Sequence, residues 1–524
     1  MKIQHTFPEM VESADANSRI SEAEWYTESG ESAHTPKWFT PNSGVLEIEP
    51  PLAGIAAAQL SLISGLPVYD MLFFVSMLAA VGVAIVFMLI FWKVFNKLWI
   101  GVLSGLLLAF PFEDHFNYLI DIGMYPHATQ LVFLALCGLF IIEFFKNKDM
   151  RSFAGMTLMI IFAFYAHSPN AIFIAGFAGI MLICMSIREK FTKASIAYII
   201  ALPLLFLIFI TPYLPVLLSN YFGLGIPEQQ ATFSQSIDTS KIFTNQAAGH
   251  AIQISNFVGI LLYLLLIFGL ISAFFLMKDH HFKILAWMFV FFFALVMVSS
   301  YFGLNHGHIN DKPRYMLYIW AYPLAAMGIY TAILYLKQYT QINTQTMLII
   351  ATLIIIGFQI NNYFHVPNSR PSILTQNTFN GFAWARQNVP DTSEILCVGC
   401  YQFDGIYTHK RTYLPAFETH QGVIEQLIDI AQNNVTNGLV TVERMGHVDY
   451  SIFWNGTKLS SYGNKQFPNR SICTFDYVIF KEWGQGTQLS AAIARRMASS
   501  NNTVSYNKDN FIVVKNEHLN GACI

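Results

Sequence analysis

Charge is what this sequence has least of. Of its 524 residues only 12% are Asp, Glu, Lys or Arg, while 54% are hydrophobic. Soluble domains run near a quarter charged, so this scarcity excludes an ordinary water-soluble chain and points to lipid. The formal net charge is -2, which removes the basic excess that a nucleic-acid partner would need. No apolar h-region of a secretory signal opens the chain, whose first fifty residues are polar. GxGxxG, Walker A and HExxH motifs are absent, as is any internal repeat. Cysteine is sparse too, at six. Cys137 and Cys184 lie inside apolar runs and read as inert core residues. Cys397, Cys400, Cys473 and Cys523 lie in the polar C-terminal region. Four cysteines permit three pairings, and the sequence does not choose among them. Cys397-Val-Gly-Cys400 could instead begin a four-thiolate zinc site, but the second CxxC is missing.

Long apolar runs are present in quantity. A spanning helix needs roughly twenty apolar residues, and such runs lie near 70–92, 98–112, 127–145, 152–167, 169–187, 195–213, 256–277, 284–302, 314–336 and 346–362. Lys93 and Lys97, then Lys146, Lys148 and Arg151, then Arg188, Lys190 and Lys193, then Lys278 and Lys283, then Lys337 occupy alternate connections. The intervening loops hold only Lys241, Lys312 and Arg314. By the positive-inside rule the basic set is cytoplasmic. Residues 1–69, the loops near 113–126, 214–255 and 303–313, and the C-terminal region then face outward. The run 52–67 is too short to span and would break the charge alternation, so it reads as an interfacial helix on the outer surface. Four N-x-S/T sequons, at Asn434, Asn455, Asn469 and Asn501, all fall in the same outward C-terminal region.

That region, about 363–524, mixes helical and strand patterns. The periodicity predicts helices over Phe379–Asn388, Val423–Gln432 and Ser490–Met497. It predicts buried strands over Glu394–Val398 and Tyr477–Phe480, and a closing hairpin of Val504–Tyr506 and Phe511–Val514 around Lys508-Asp509. The expectation is a small layered α/β domain.

The outward loops carry charged groups that short membrane loops do not require. Asp15 and Arg19 precede Glu22, Glu24 and Glu28. Glu113, Asp114 and Asp121 fill the loop after the second span. His167 ends the fourth span, and Asp311 and Arg314 mark the mouth of the ninth. Charged groups at span ends are costly unless paired or used. Together they would form a polar pocket at the bilayer surface, the depth at which a lipid phosphate presents its head group. Transfer of a sugar from such a donor needs a carboxylate to take the acceptor proton. It also needs a cation for the departing phosphate, to which the planar fork of Arg is suited. Asp15 would be the base and Arg314 the phosphate clamp. The bland readings stand beside these: Asp15 a solvated acid, Arg314 a snorkelling anchor, His167 a packing or capping residue, and Asp404 a turn residue.

Asp15 through Gly30, then Glu49-Pro50-Pro51-Leu52 and an apolar surface helix, resembles the first external loop of the GT-C membrane glycosyltransferases. The resemblance continues through Gly123-Met124-Tyr125-Pro126, Ala166-His167-Ser168-Pro169 and Pro313-Arg314-Tyr315. It ends at Ala383-Trp384-Ala385-Arg386-Gln387-Asn388-Val389-Pro390, which is similar to the opening of the external domain of that superfamily. Archaeal-type enzymes, dolichyl-phosphate-sugar-dependent transferases and the catalytic subunit of oligosaccharyltransferase are the members it resembles. That subunit carries WWDYG where this chain has Tyr401-Gln402-Phe403-Asp404-Gly405, so Asp404 and Gly405 match and both tryptophans are missing. Members of the superfamily have a span before the first external loop, so the resemblance implies either a helix preceding residue 1, the favoured reading, or an N-terminus translocated by the 70–92 span.

The resemblance implies a mainly α fold: a polytopic transmembrane helical bundle, GT-C-like, with a C-terminal extracytoplasmic α/β domain. Its regions would be 1–69, an external acidic loop with an interfacial helix; 70–362, a bundle of about ten helices; and 363–524, the soluble domain. The implied activity is inverting transfer of a sugar from a polyprenyl (dolichyl) phosphate-linked donor to a glycan, lipid or protein acceptor on the extracytoplasmic face. Asp15, Glu113 and Asp114 would be catalytic, Asp15 as a loop carboxylate. Arg314, Arg19 and His167 would bind the donor phosphate, and Asp404 would contact the acceptor. A divalent cation, Mg or Mn, at Glu113 and Asp114 is left open. Two other functions compete: a transporter or flippase of lipid-linked glycans, and a glycan polymerase. Transporters gather charge at the membrane midplane, whereas here it gathers at one surface. The 214–255 loop is mostly uncharged, unlike the loaded loop of a polymerase.

Overall fold

The computed structural model of the protein describes residues 10–11, 14–30, 52–108, 125–214, 257–277, 279, 281–301, 312–365, 373–374, 376–400, 408–415, 423–432, 438–444, 451–454, 457–461, 469–481, 487–508 and 511–524. It falls into two compact units. One comprises Leu72–Ser369 with Met1–Lys2 and Ile48–Ala56; the other comprises Arg370–Ile524 with Ile3–Glu47 and Ala57–Met71.

The first unit is helical. Helix α1 (Ala14–Ser29) belongs to the second unit, and α2 (Leu52–Ser64) coincides with the short apolar run expected to lie on a surface. Then follow α3 (Val68–Leu89, extended by a π turn over Ile90–Val94), α4 (Leu98–Leu108), α5 (Tyr125–Asn147), α6 (Met150–Ala166), α7 (Ser168–Arg188) and α8 (Lys193–Ile210). The bundle closes with α9 (Phe257–Ile271, extended by a π turn over Ser272–Leu276), α10 (Phe282–Tyr301), α11 (Lys312–Leu336) and α12 (Thr344–His365). Each of the ten apolar runs, α3 to α12, is therefore a helix. Among the described residues five of them are long and apolar enough to cross a membrane: Val68–Val94, Tyr125–Asn147, Asn170–Arg188, Lys193–Ile210 and Ile319–Leu336.

The basic connections gather at one end of this unit. Lys146 donates to the Val94 carbonyl, joining the α3–α4 and α5–α6 turns. Lys148 pairs with Glu189, joining the α5–α6 and α7–α8 turns. Lys97 lies over the Tyr330 ring at 5.8 Å, near the C-terminal end of α11. Asp149 caps α6 by accepting from the Ser152 amide at 2.8 Å, and Thr192 caps α8 in the same way. Hydrogen bonds from Ser152 hold the Asp149 carboxyl below the usual carboxylate range. Packing inside the bundle depends on small residues. A Cβ on Gly269 of α9 would overlap the Leu324 carbonyl of α11, and one on Gly328 of α11 would overlap the Leu265 carbonyl of α9. Only glycine lets two helix backbones approach this closely in lipid.

Cys137 is buried, as its apolar surroundings imply, but Cys184 is exposed. That corrects the expectation of two core cysteines: Cys184 lies on the outward stripe of α7, with Ile180, Ile183 and Ile187. In lipid an apolar run does not distinguish a bundle-facing side chain from an outward one.

The second unit contains an α/β domain. After β1 (Met10–Val11), β2 (Ile373–Leu374) and α13 (Gln376–Asn388), its elements are β3 (Glu394–Val398), β4 (Arg411–Pro415), α14 (Val423–Gln432), β5 (Leu439–Arg444), β6 (Ser451–Trp454), β7 (Thr457–Ser461), β8 (Asn469–Ser471), β9 (Tyr477–Lys481), α15 (Thr487–Ser499), β10 (Thr503–Lys508) and β11 (Phe511–Lys515). Seven strands form one sheet in the order β10-β11-β9-β3-β4-β5-β8. The central trio β9, β3 and β4 is parallel, and the flanks are antiparallel. Helices α14 and α15 cover one face through Leu427, Ile430, Ile493 and Met497 against Leu396, Val440 and Val478. On α13, Phe382 meets Phe511 edge-on at 4.9 Å. A sheet covered on both sides buries entire strands, as all five residues of β9 show. Strands β6 and β7 form a separate hairpin.

The cysteines pair Cys397–Cys400 and Cys473–Cys523. This selects one of the three connectivities and sets aside the four-thiolate zinc reading.

Candidate functional site

The acidic N-terminal segment is not simply a loop. Residues 14–29 form helix α1, and Asp15, expected to be a loop carboxylate, lies in its first turn. The run Ala-Asp-Ala-Asn-Ser-Arg contains no proline and sets an acid at the positive end of the helix dipole, which favours a helix start despite the modest propensities of Asp, Asn and Ser. Arg19 reaches one turn forward to Glu22, with both carboxylate oxygens 2.8–3.0 Å from Nη1. Ile20, Ala23, Trp25 and Tyr26 are buried, so α1 is a packed element.

A charge cluster holds α1 within its unit. Glu24 and Glu28 lie one turn apart, and His409 and Arg386 face them. His409 Nε2 is 2.8 Å from Glu24, and its Nδ1 is 3.7 Å from Glu28. Arg386 pairs with Glu28, and its Nη1 is 3.9 Å from Glu24. The His409 and Glu24 side chains are only 10% and 15% exposed, so their contact is shielded from solvent more than an ordinary surface pair. An exposed pair such as Arg386–Glu28 contributes about 0.2–1 kcal/mol. Strand β1 adds a main-chain tie, with Met10 opposite Leu374 and Val11 opposite Ile373. The segment carrying Asp15 is thus fastened to the α/β domain on both sides, by β1 before it and by the cluster after it.

In the helical unit a second polar group surrounds His167. This residue is extended between α6 and α7, where Pro169 starts α7 without needing the amide that a helix start leaves unpaired. The His167 ring lies against that of His127, in the first turn of α5, with centroids 3.5 Å apart and the planes tilted by 37°. Gln130, one turn further on, donates to the carbonyls of Ala163 and His167. Asn170 donates to Gln130 Oε1 at 3.1 Å. All four side chains are buried. Thr129 Oγ1 and Asn170 Oδ1 are also buried and have no hydrogen-bond partner among the described residues. Two of the short motifs, Tyr125-Pro126 and His167-Ser168-Pro169, therefore meet in space.

His127, Gln130 and Asn170 were not anticipated. Their signal was available: a His and a Gln three residues apart inside an otherwise apolar span occupy one helix face. The remaining expected site residues are less defined. Arg314 lies in the first turn of α11, and only its backbone position is described. Only the backbone of Asp15 is described as well. Glu113, Asp114, Asp121 and Asp404 lie outside the described residues. Among the described residues no group of three or more His, Cys, Asp or Glu could hold a metal ion.

No family model matches the sequence, and no curated protein matches it. Solved structures do resemble the fold. ArnT from Cupriavidus metallidurans bound to undecaprenyl phosphate is 10% identical, with a TM-score of 0.53 over 97% of this chain and 94% of that one. The archaeal oligosaccharyltransferase AglB from Archaeoglobus fulgidus, in complex with an inhibitory peptide and a dolichol-phosphate, is 11% identical. Its TM-score is 0.49, covering 78% of this chain and 61% of that one. The chain is a helical membrane bundle with an added α/β domain, and its fold resembles that of ArnT.

Proposed function

We propose that the protein is a membrane glycosyltransferase that moves a sugar from a polyprenyl-phosphate donor to an acceptor on the extracytoplasmic face. The observation that carries this reading is the likeness to undecaprenyl-phosphate-bound ArnT along 97% of the chain. Clustering of the basic turns at one end of the helical unit supports an orientation in which that end is cytoplasmic. Residues 1–69 and 363–524 then lie outside, on either side of the bundle segment 70–362.

In the proposed reaction an acceptor hydroxyl or amide attacks the anomeric carbon from the face opposite the phosphate. The carbon–oxygen bond to the phosphate breaks, and the configuration inverts. Asp15 takes the acceptor proton, and carboxylates stabilise the oxocarbenium-like carbon. Glu113 and Asp114 are the second acidic pair, and a divalent cation held there would neutralise phosphate charge. Arg314, Arg19 and His167 are each a proposed donor to a lipid phosphate, and Arg19 can donate while keeping Glu22, since a guanidinium offers five donors. Asp404 contacts the acceptor.

Purified protein and Asp15→Asn would be incubated with radiolabelled polyprenyl-phosphate sugars and candidate acceptors. The wild type is expected to transfer label and the variant to lose transfer by at least a hundredfold, the scale of general-base catalysis. Movement of lipid-linked glycan across vesicles without transfer would overturn the reading. Full transfer by Asp15→Asn would remove the base from Asp15.

A further inference from the structure

We propose that Asn501 is the attachment site of an N-linked glycan on the α/β domain, an inference that rests on the extracytoplasmic placement of that domain. Asn501-Asn502-Thr503 is a sequon. It occupies the turn between α15 and β10, where β10 is an edge strand paired only with β11.

The two asparagines of this turn have divided their tasks. Asn502 is buried and structural. Its Nδ2 donates to the carbonyls of Met497 and Cys523, at 2.9 and 2.7 Å, and its Oδ1 accepts from the Glu517 amide at 3.0 Å. Asn501 adopts the left-handed conformation, φ 61°, that ends a helix, and it is exposed. Its side chain makes no hydrogen bond among the described residues. A glycan there would project into solvent and displace nothing. Thr503, which supplies the sequon hydroxyl, is also exposed, and its hydroxyl donates to Glu517 Oε1 at 2.9 Å on the surface.

Asn469, in the other described sequon, differs. Its Oδ1 accepts from the Thr441 hydroxyl at 2.6 Å, and Ser471 of the same sequon caps the turn that begins at Ile472. The Asn469 side chain is thus engaged between β5 and β8, whereas that of Asn501 is not. A second line of observation comes from the disulfides. Both lie in this domain, and disulfides persist in the oxidising compartments where sequons are modified.

In the modification, the Asn501 amide nitrogen bonds to the anomeric carbon of a lipid-phosphate-linked oligosaccharide. The bond from that carbon to the phosphate oxygen breaks, the lipid phosphate leaves, and one amide proton passes to a base of the separate transferase.

The test is mass spectrometry of the tryptic peptide 497–508 from full-length protein made in its own host. A glycan at Asn501 is expected, as is a faster gel mobility in Asn501→Gly and in Thr503→Ala. Thr503→Ser should retain the glycan. Glycine keeps the left-handed turn, and Thr503→Ala keeps Asn501 itself, so loss in both separates modification from folding. An unmodified peptide overturns the proposal, as does a glycan found only at Asn469. Asn507→Cys, at an exposed position of β10, is treated in parallel with a membrane-impermeant maleimide on intact cells. Labelling together with an unmodified peptide refutes the glycan alone. Protection from labelling refutes the orientation and the glycan with it.

Discussion

Lys481 ends β9, a strand buried along its whole length, and only 5% of its surface is exposed. Burial disfavours its charged form and lowers its pKa from the ordinary 10.5 to about 7. An amine whose folded pKa is depressed binds protons less readily when folded than when unfolded. Below about pH 7 it is charged in both states, and the full cost of burying it is present. Between about pH 7 and 10.5 the folded form is neutral while the unfolded form binds a proton. Stability then rises with pH at up to about 1.4 kcal/mol per pH unit. Above both values the cost has vanished. Integrated over that window, the ceiling is on the order of 4–5 kcal/mol, reduced by whatever water reaches the ammonium. Lys481→Met removes the charge at similar length. The variant should therefore be the more stable by several kcal/mol at pH 7, with the gap closing as pH approaches 10. Pulse proteolysis of full-length protein in detergent, with urea midpoints for the C-terminal fragment at half-unit pH steps, reads this directly. A wild type whose stability is flat between pH 7 and 10, or a variant weaker at every pH, would show that burial does not disfavour the charged Lys481 amine and refute the reasoning.

Two further outcomes follow from covalent and backbone geometry. Cys473–Cys523 spans 50 residues and Cys397–Cys400 only 3, so the loop-entropy relation assigns them about 4 and about 2 kcal/mol respectively. The double Ser variant of the long pair should lower the urea midpoint of the domain by about twice as much as that of the short pair, and equal losses would refute the entropic ranking. Substituting Leu for Gly269 or Gly328 places side-chain atoms on the backbone of the opposing helix. Both variants should give little monodisperse protein by detergent size-exclusion chromatography, and a wild-type profile from both would refute close contact of α9 and α11.

The ten apolar helices were legible in the sequence because long runs of apolar residues write helix into adjacent positions, and five of them are long and apolar enough among the described residues to cross a membrane. The sharpest readings in the domain were equally local. Glu394–Val398 and Val423–Gln432 match their elements end to end, since a buried strand and a strongly one-sided helix write their pattern in adjacent residues. Strands β4, β5 and β8 were missed, being short and partly polar, with pairing from distant residues as their support. The β6–β7 hairpin did carry a local signal, Asn455-Gly456 between the strands, a favoured two-residue turn.

By itself the sequence determined that the chain carries apolar helices of a membrane protein and that a layered α/β domain follows. Those are properties of composition and short-range period. Only the tertiary structure decided that Cys473 pairs with Cys523, that His127 lies against His167, and that Glu24 and Glu28 meet His409 and Arg386 from more than 350 positions away. It also turned the expected Asp15 loop into a helix tied to the α/β domain. Each of these joins residues remote in the chain, and no run of neighbouring residues encodes such a meeting. It arises when many weak apolar contacts settle together on one packing.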